Sequence, residues 1–227
     1  MQQTDTTEDF ADWYATPPGR EAARLLSKAV RPLLGSGGRL LAVGQTAPVL
    51  TRLHGLHHER VAMIVETPQR WPVTTPSRSA VADPERLPFA DALFDDALLI
   101  HALELCERPR AVLRELWRVL APAGRMVLVV PNRAGVWARA EALPFGRGHP
   151  YGRRGLTRLL TDAMFEVEHW STALAAPPVT RLRWLEAPLA RLLPHLGGVH
   201  VVAACKTDGL RPIGRVATVR FEEATAS

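Results

Sequence analysis

Residues 83–132 read DPERLPFADALFDDALLIHALELCERPRAVLRELWRVLAPAGRMVLVVPN. The run Phe94 to Leu103 holds an unbroken apolar core, Ala97 to Ile100, as a strand buried on both faces requires. Over Arg110 to Leu120, apolar Val112, Leu113, Leu116, Val119 and Leu120 recur at helical spacing while Arg110, Arg114, Glu115 and Arg118 face water. Pro122 and Gly124 stop that helix, and Met126 to Val130 is a second buried strand. Two such strands bridged by one helix predict a right-handed parallel crossover.

Working outward, Arg20 to Leu34 carries a buried stripe of Ala22, Leu25, Leu26, Ala29, Val30 and Leu33, and Gly35 to Gly38 ends that helix. Arg39 to Gly44 is the first strand, with Gln45 to Pro48 opening a helix that runs on through Leu50 to His58. Val61 to Val65 is the second strand, and Gln69 to Ala82 is broken by proline into a loop and a short edge strand. A helix over Arg154 to Ala163, a strand over Phe165 to Leu174, an amphipathic helix over Arg181 to Leu193 and a last strand over Gly197 to Lys206 complete the pattern.

Composition agrees with one α/β domain, since 227 residues of which 47% are hydrophobic fill one core. The net charge of +5 is too small to argue for nucleic acid, and Lys28 and Lys206 are the lysines among 28 basic residues. Cys106 and Cys205 form no CxxC or Cys/His cluster, which predicts no disulfide framework and a reduced, cytoplasmic home. The polar start MQQTDTTEDF is unlike a signal peptide, and no apolar run is long enough to span a bilayer. Residues 1–15 read as a mobile N-terminus, 16–207 as the domain, with an insert at 133–153 and a helical lid at 179–195, and 208–227 as a loose tail. His54, His57 and His58 lack a matching carboxylate or cysteine, so no metal site is predicted.

The 83–132 stretch resembles the small-molecule branch of the class I S-adenosylmethionine-dependent methyltransferases. The resemblance rests on Asp83, Leu87-Pro88-Phe89, Phe94-Asp95, His101, Glu104, the arginine-rich helix and Gly124. It implies a Rossmann-like, doubly wound, mostly parallel seven-stranded sheet with an antiparallel edge strand and helices on both faces. It also implies S-adenosylmethionine as cofactor and a small-molecule acceptor, anionic or apolar in character, without nucleic acid or stable membrane insertion. Gly44 then stands at the first glycine of the cofactor loop, while Thr46 and Pro48 replace the second and third and Ala42 replaces the acid. A β-carbon at Thr46 costs on the order of 1 kcal/mol if its φ is positive. A lost carboxylate forfeits a charge-assisted bond of roughly 1.5–3 kcal/mol. Together these departures weaken cofactor binding by roughly one to three orders of magnitude.

By the same resemblance Glu66 grips the ribose, unless the register places Val65 there, and Asp83 accepts from the adenine amino group. His101 walls the pocket, and Trp13 and Tyr14 cover the bound ligands or pack on the domain edge. Arg133, Arg139, Arg147, Arg153, Arg154 and Arg158 form either a seat for an anionic acceptor or a solvated face. Between them, His149 and Tyr151 are the candidates for a general base. The amphipathic helix 181–193 is a lid or touches a membrane surface. Two functions follow: methyl transfer to a small molecule, or an inactive binding or regulatory protein that kept only the fold. A nicotinamide enzyme is disfavoured because no GxGxxG follows the first strand.

Overall fold

A computed structural model describes residues 10–35, 37–53, 79–135, 137, 143–176 and 197–207, and the backbone of 57–65. Its strands are β1 (Gly37–Gly44), β2 (His57–Val65), β3 (Ser79–Val81), β4 (Phe94–Ile100), β5 (Leu120–Pro131), β6 (Phe165–Ala173) and β7 (Val199–Lys206). The helices are α1 (Pro17–Val30), the single turn α2 (Ala47–Leu50), α3 (Pro109–Val119) and α4 (Arg153–Asp162). The sheet runs in the order β3-β2-β1-β4-β5-β7-β6. β1 to β5 pair in parallel, and β7 is antiparallel to both β5 and β6.

Alternation along each strand divides the core into two layers. Leu40 and Ala42 of β1, Leu98 and Ile100 of β4, and Val127 and Val129 of β5 face α1. Their neighbours Leu41, Val43, Ala97, Leu99, Met126 and Leu128 face α3 and α4. Such strands read as continuous apolar runs because both faces are covered. The helices follow local chemistry. Thr16 caps α1 by accepting from the Gly19 amide at 3.2 Å, and Pro17 sits in the first turn, where its missing amide has no intrahelical partner. α1 therefore starts three residues before the predicted Arg20. Pinning of the β1 entrance falls to β4: Asp96 Oδ2 accepts from Gly35 N at 3.1 Å and Asp95 Oδ2 from Arg39 N at 2.8 Å.

Four expectations need correction. The antiparallel strand expected at the edge is β7, which lies one place in from it, and β6 is the edge strand. β7 is buried along its whole length, whereas β6 exposes Glu166, Glu168 and His169 and carries a register shift between Val167 and His169, as an edge tolerates. The helix after Gly44 ends at Leu50, and His57 and His58 belong to the backbone of β2 rather than to a helix end. Residues 10–15, expected to be mobile, are helical, with Phe10 and Tyr14 at 2% and 5% exposure. Arg118, predicted to face water, is part-buried. It donates to the carbonyls of Leu87 (2.9 Å) and Phe89 (2.7 Å), to Asp91 and to Glu115, clamping the Leu-Pro-Phe loop onto α3. Glu66, His54, Arg139, the helix 181–193, the lid 179–195 and the tail 208–227 lie outside the described residues. No helix among the described residues is long and apolar enough to cross a membrane.

Candidate functional site

The site forms where β1 and β4 reach their carboxyl ends side by side. Gly44 ends β1 at φ +82, and a β-carbon there would collide with the Ile100 carbonyl. Only glycine fits both the backbone angle and that contact. The next amide, Gln45 N, donates to Ile100 O at 2.7 Å, tying the two strand tips together. Thr46 follows at φ −84 and ψ −22, in the ordinary right-handed region. The strain expected from a β-carbon at position 46 therefore does not arise. Pro48 lies in the first turn of α2, where proline is tolerated. Ala42 is fully buried in the layer facing α1.

From the tip of β4 the chain turns through His101, whose φ of +50 is uncommon for a residue with a side chain. The surroundings hold it there. Nε2 lies 2.9 Å from Tyr14 Oη and Nδ1 lies 3.2 Å from Glu104 Oε1. Phe10 stacks on the imidazole at 4.8 Å between centroids and 12° between planes, and Phe145 lies against it at 4.5 Å. Trp13 and Trp137 complete the aromatic group by edge contacts with Phe145. An ionised carboxylate can only accept, so Glu104 Oε1 pairs with a proton on His101 Nδ1. The unprotonated Nε2 then accepts from the Tyr14 hydroxyl. Burial, reinforced by the charge of Glu104, pushes the Tyr14 phenol well above its ordinary range, so Tyr14 keeps its proton at neutral pH.

Two buried oxygens at this rim have no hydrogen-bond partner among the described residues, Thr46 Oγ1 and Glu104 Oε2. Each such orphan costs about 1–3 kcal/mol. Their chemistry fits a ligand carrying both an ammonium and a carboxylate group.

The predicted site residues divide spatially. Gly44, Thr46 and His101 meet at the β1/β4 tips. Asp83 is exposed beyond the end of β3, where Oδ1 accepts from Glu85 N at 2.8 Å and shapes the turn into the Leu87 loop. His149 is exposed, with its ring edge-on to Tyr151 at 5.3 Å. Its backbone amide donates to Glu104 O at 2.8 Å, bringing this part of the basic segment beside the β4 exit. Tyr151, the other base candidate, is buried. Its hydroxyl donates to Leu103 O at 3.2 Å, and burial, with Glu104 and Cys106 nearby, pushes its phenol up to about 12. Phe10, Glu104 and Phe145 were not singled out as site residues, although Phe10, Trp13 and Tyr14 recur at helical spacing.

The strand order defines a doubly wound α/β fold that reverses direction between β1 and β4, where this rim lies. Residues 32–128 match the methyltransferase domain family. The fold is that of the class I S-adenosylmethionine-dependent methyltransferases. Among sequence relatives, the uncharacterized protein Rv2003c of Mycobacterium tuberculosis is 31% identical over 178 residues, covering 73% of this chain and 60% of the relative. The chain thus spans about 60% of the length of that relative. A possible histamine N-methyltransferase of Thermotoga maritima shares the fold at a TM-score of 0.66 and 18% identity, over 88% of this chain and 95% of its own. The 1,6-didemethyltoxoflavin N1-methyltransferase of Burkholderia thailandensis, solved with its substrate and S-adenosylhomocysteine, matches at 0.63 and 19%, over 90% and 87%.

Proposed function

We propose that the chain is an S-adenosylmethionine-dependent methyltransferase acting on a small molecule. The observation that supports this reading most is the pairing of the glycine-only turn at Gly44 with two orphaned oxygens, Thr46 Oγ1 and Glu104 Oε2. Thr46 would donate to the carboxylate of the methionine moiety, and Glu104 would accept from its ammonium group. Asp83 serves the adenine amino group and Glu66 the ribose hydroxyls. His101 has both nitrogens engaged by Tyr14 and Glu104, so it contributes its ring as a wall.

The bound cofactor supplies an electrophilic methyl group on a sulfonium. The chain's own task is alignment and exclusion of water. Phe10, Trp13, Tyr14 and Phe145 exclude water over His101, and the Tyr14–His101–Glu104 chain fixes the floor of the site. Tyr14 holds its proton, and Tyr151 is committed to Leu103, which leaves His149 as the residue near the rim that removes a proton from the acceptor where one must leave. The acceptor is a small molecule of anionic or apolar character. An inactive, binding-only role draws no support from the solved methyltransferases that share this fold. Parallel calorimetric titrations with S-adenosylmethionine and with NAD test the reading. Heat with the first and none with the second is expected; binding of NAD alone, or of neither, overturns it.

A further inference from the structure

A second concavity lies away from the β1/β4 rim, two strands beyond β4, where β5 and β6 end and β7 begins. It encloses about 440 Å³ and is lined by Asn132, Arg133, Gly152, Arg153, Trp170 and His200 among others. The wall is built by zipping the chain after β5 to the chain before α4. Asn132 bridges Tyr151, and Arg133 N donates to Tyr151 O at 3.1 Å. Neither segment supplies a carboxylate to the lining.

Three features of this cavity converge. First, it opens onto the amino end of α4, a helix of 10 residues whose N-cap is Gly152, with no side-chain cap and no acidic residue in its first turn. The first amides of a helix have no intrahelical acceptor and carry the positive end of its dipole. Second, Arg133 and Arg153 stand at the mouth, the Arg153 guanidinium 5.2 Å from the Trp170 ring centre. Third, His200 lines the cavity at 5% exposure, and both ring nitrogens are buried without a well-formed hydrogen bond. The groups acting on it are the Tyr151 backbone and the Arg153 guanidinium, and Trp170 packs against its ring at 4.9 Å. A buried imidazole whose nitrogens make no well-formed hydrogen bond has an N–H to offer an acceptor.

We propose that this cavity is an oxyanion-binding site, separate from the cofactor crevice, that takes the carboxylate or phosphate of a small molecule. The oxyanion sits on the first-turn amides of α4 between Arg133 and Arg153, accepts from His200, and directs the body of its molecule toward Trp170. Helix amino ends and forked guanidinium groups recognise the same planar or tetrahedral oxyanions. The site does not depend on methyl transfer at the other rim.

Gly152→Asp is the sharpest test, because a β-carbon at Gly152 meets nothing within 4 Å. The new carboxylate caps α4 from within and occupies the oxyanion's place, so the fold is kept or stabilised. The full chain, Gly152→Asp and Arg153→Gln are each titrated with inorganic phosphate and with benzoate, following the backbone amides of residues 153–155 and the Trp170 indole by NMR. In the full chain both probes shift these signals, and Gly152→Asp weakens binding at least about tenfold, with a smaller loss in Arg153→Gln. Tighter phosphate binding assigns the site to phosphate groups; tighter benzoate binding assigns it to a carboxylate on a flat body. The proposal is overturned if neither probe shifts these signals at about 10 mM, or if Gly152→Asp binds as well as the full chain.

Discussion

Tyr14 and His101 lie 87 residues apart in the chain and share a hydrogen bond of 2.9 Å at the exit of β4. That bond joins the N-terminal helical segment to the central strand. Deleting it in Tyr14→Phe leaves His101 Nε2 buried with no donor, a cost of about 1–3 kcal/mol. For a chain of this size the melting temperature should fall by about 3–10 °C. Calorimetric melting checks this, and an unchanged melting temperature would show that the contact carries no weight.

Arg118 supplies a second, separable prediction. Its guanidinium closes the Leu87–Asp91 loop through two carbonyls and a carboxylate while pairing with Glu115. Arg118→Gln should lower stability by about 2–3 kcal/mol, since charge-assisted bonds exceed neutral ones. The Arg118 hydrogen bond, with help from the Leu87 amide and against the effect of partial burial, holds the Glu115 carboxyl below its ordinary 4.5. A depressed carboxyl stabilises the fold fully above that ordinary value, and the contribution is lost as pH falls through the folded one. The variant should therefore lose part of the acid sensitivity seen in denaturant melts between about pH 5 and 3. Equal acid sensitivity in both proteins would remove the clamp.

The fold was legible because burial on both faces leaves few ways to write a strand: Ala97 to Ile100 and Met126 to Val130 declare themselves by apolar continuity alone. The order of β6 and β7 was not legible by analogy, although the alternation in FEVEHWSTA against the continuity of VHVVAAC carried the answer. At the rim, Gly44 was readable, since its angle and its contact with Ile100 admit no side chain. At Thr46 the strain stayed conditional because spacing does not reveal φ, and the observed φ of −84 removes it. The surroundings of His101 come from Phe10, Tyr14 and Phe145, which are distant in sequence, and only tertiary packing brings them together. That the Tyr151 hydroxyl donates to Leu103 O was likewise hidden, because the two residues are 48 positions apart.

His200 gives a prediction with a defined pH window. Burial, with Arg153 adding to it and the Tyr151 backbone opposing it, pushes its pKa from 6.5 down to about 4. The unfolded chain therefore binds a proton at this position before the folded one does, and stability falls as pH drops from 6.5 toward 4. The loss is bounded at about 3 kcal/mol. His200→Leu should flatten this segment of the stability profile, read from urea midpoints at successive pH values. Parallel profiles for the two proteins would refute the assignment.

The most direct measurement is calorimetric titration of the full chain and of Thr46→Val with S-adenosylhomocysteine. A rim that still holds the cofactor predicts a dissociation constant below about 1 mM for the full chain and a loss of at least about fivefold in Thr46→Val. No heat with the full chain, or equal affinity in the two proteins, would contradict it.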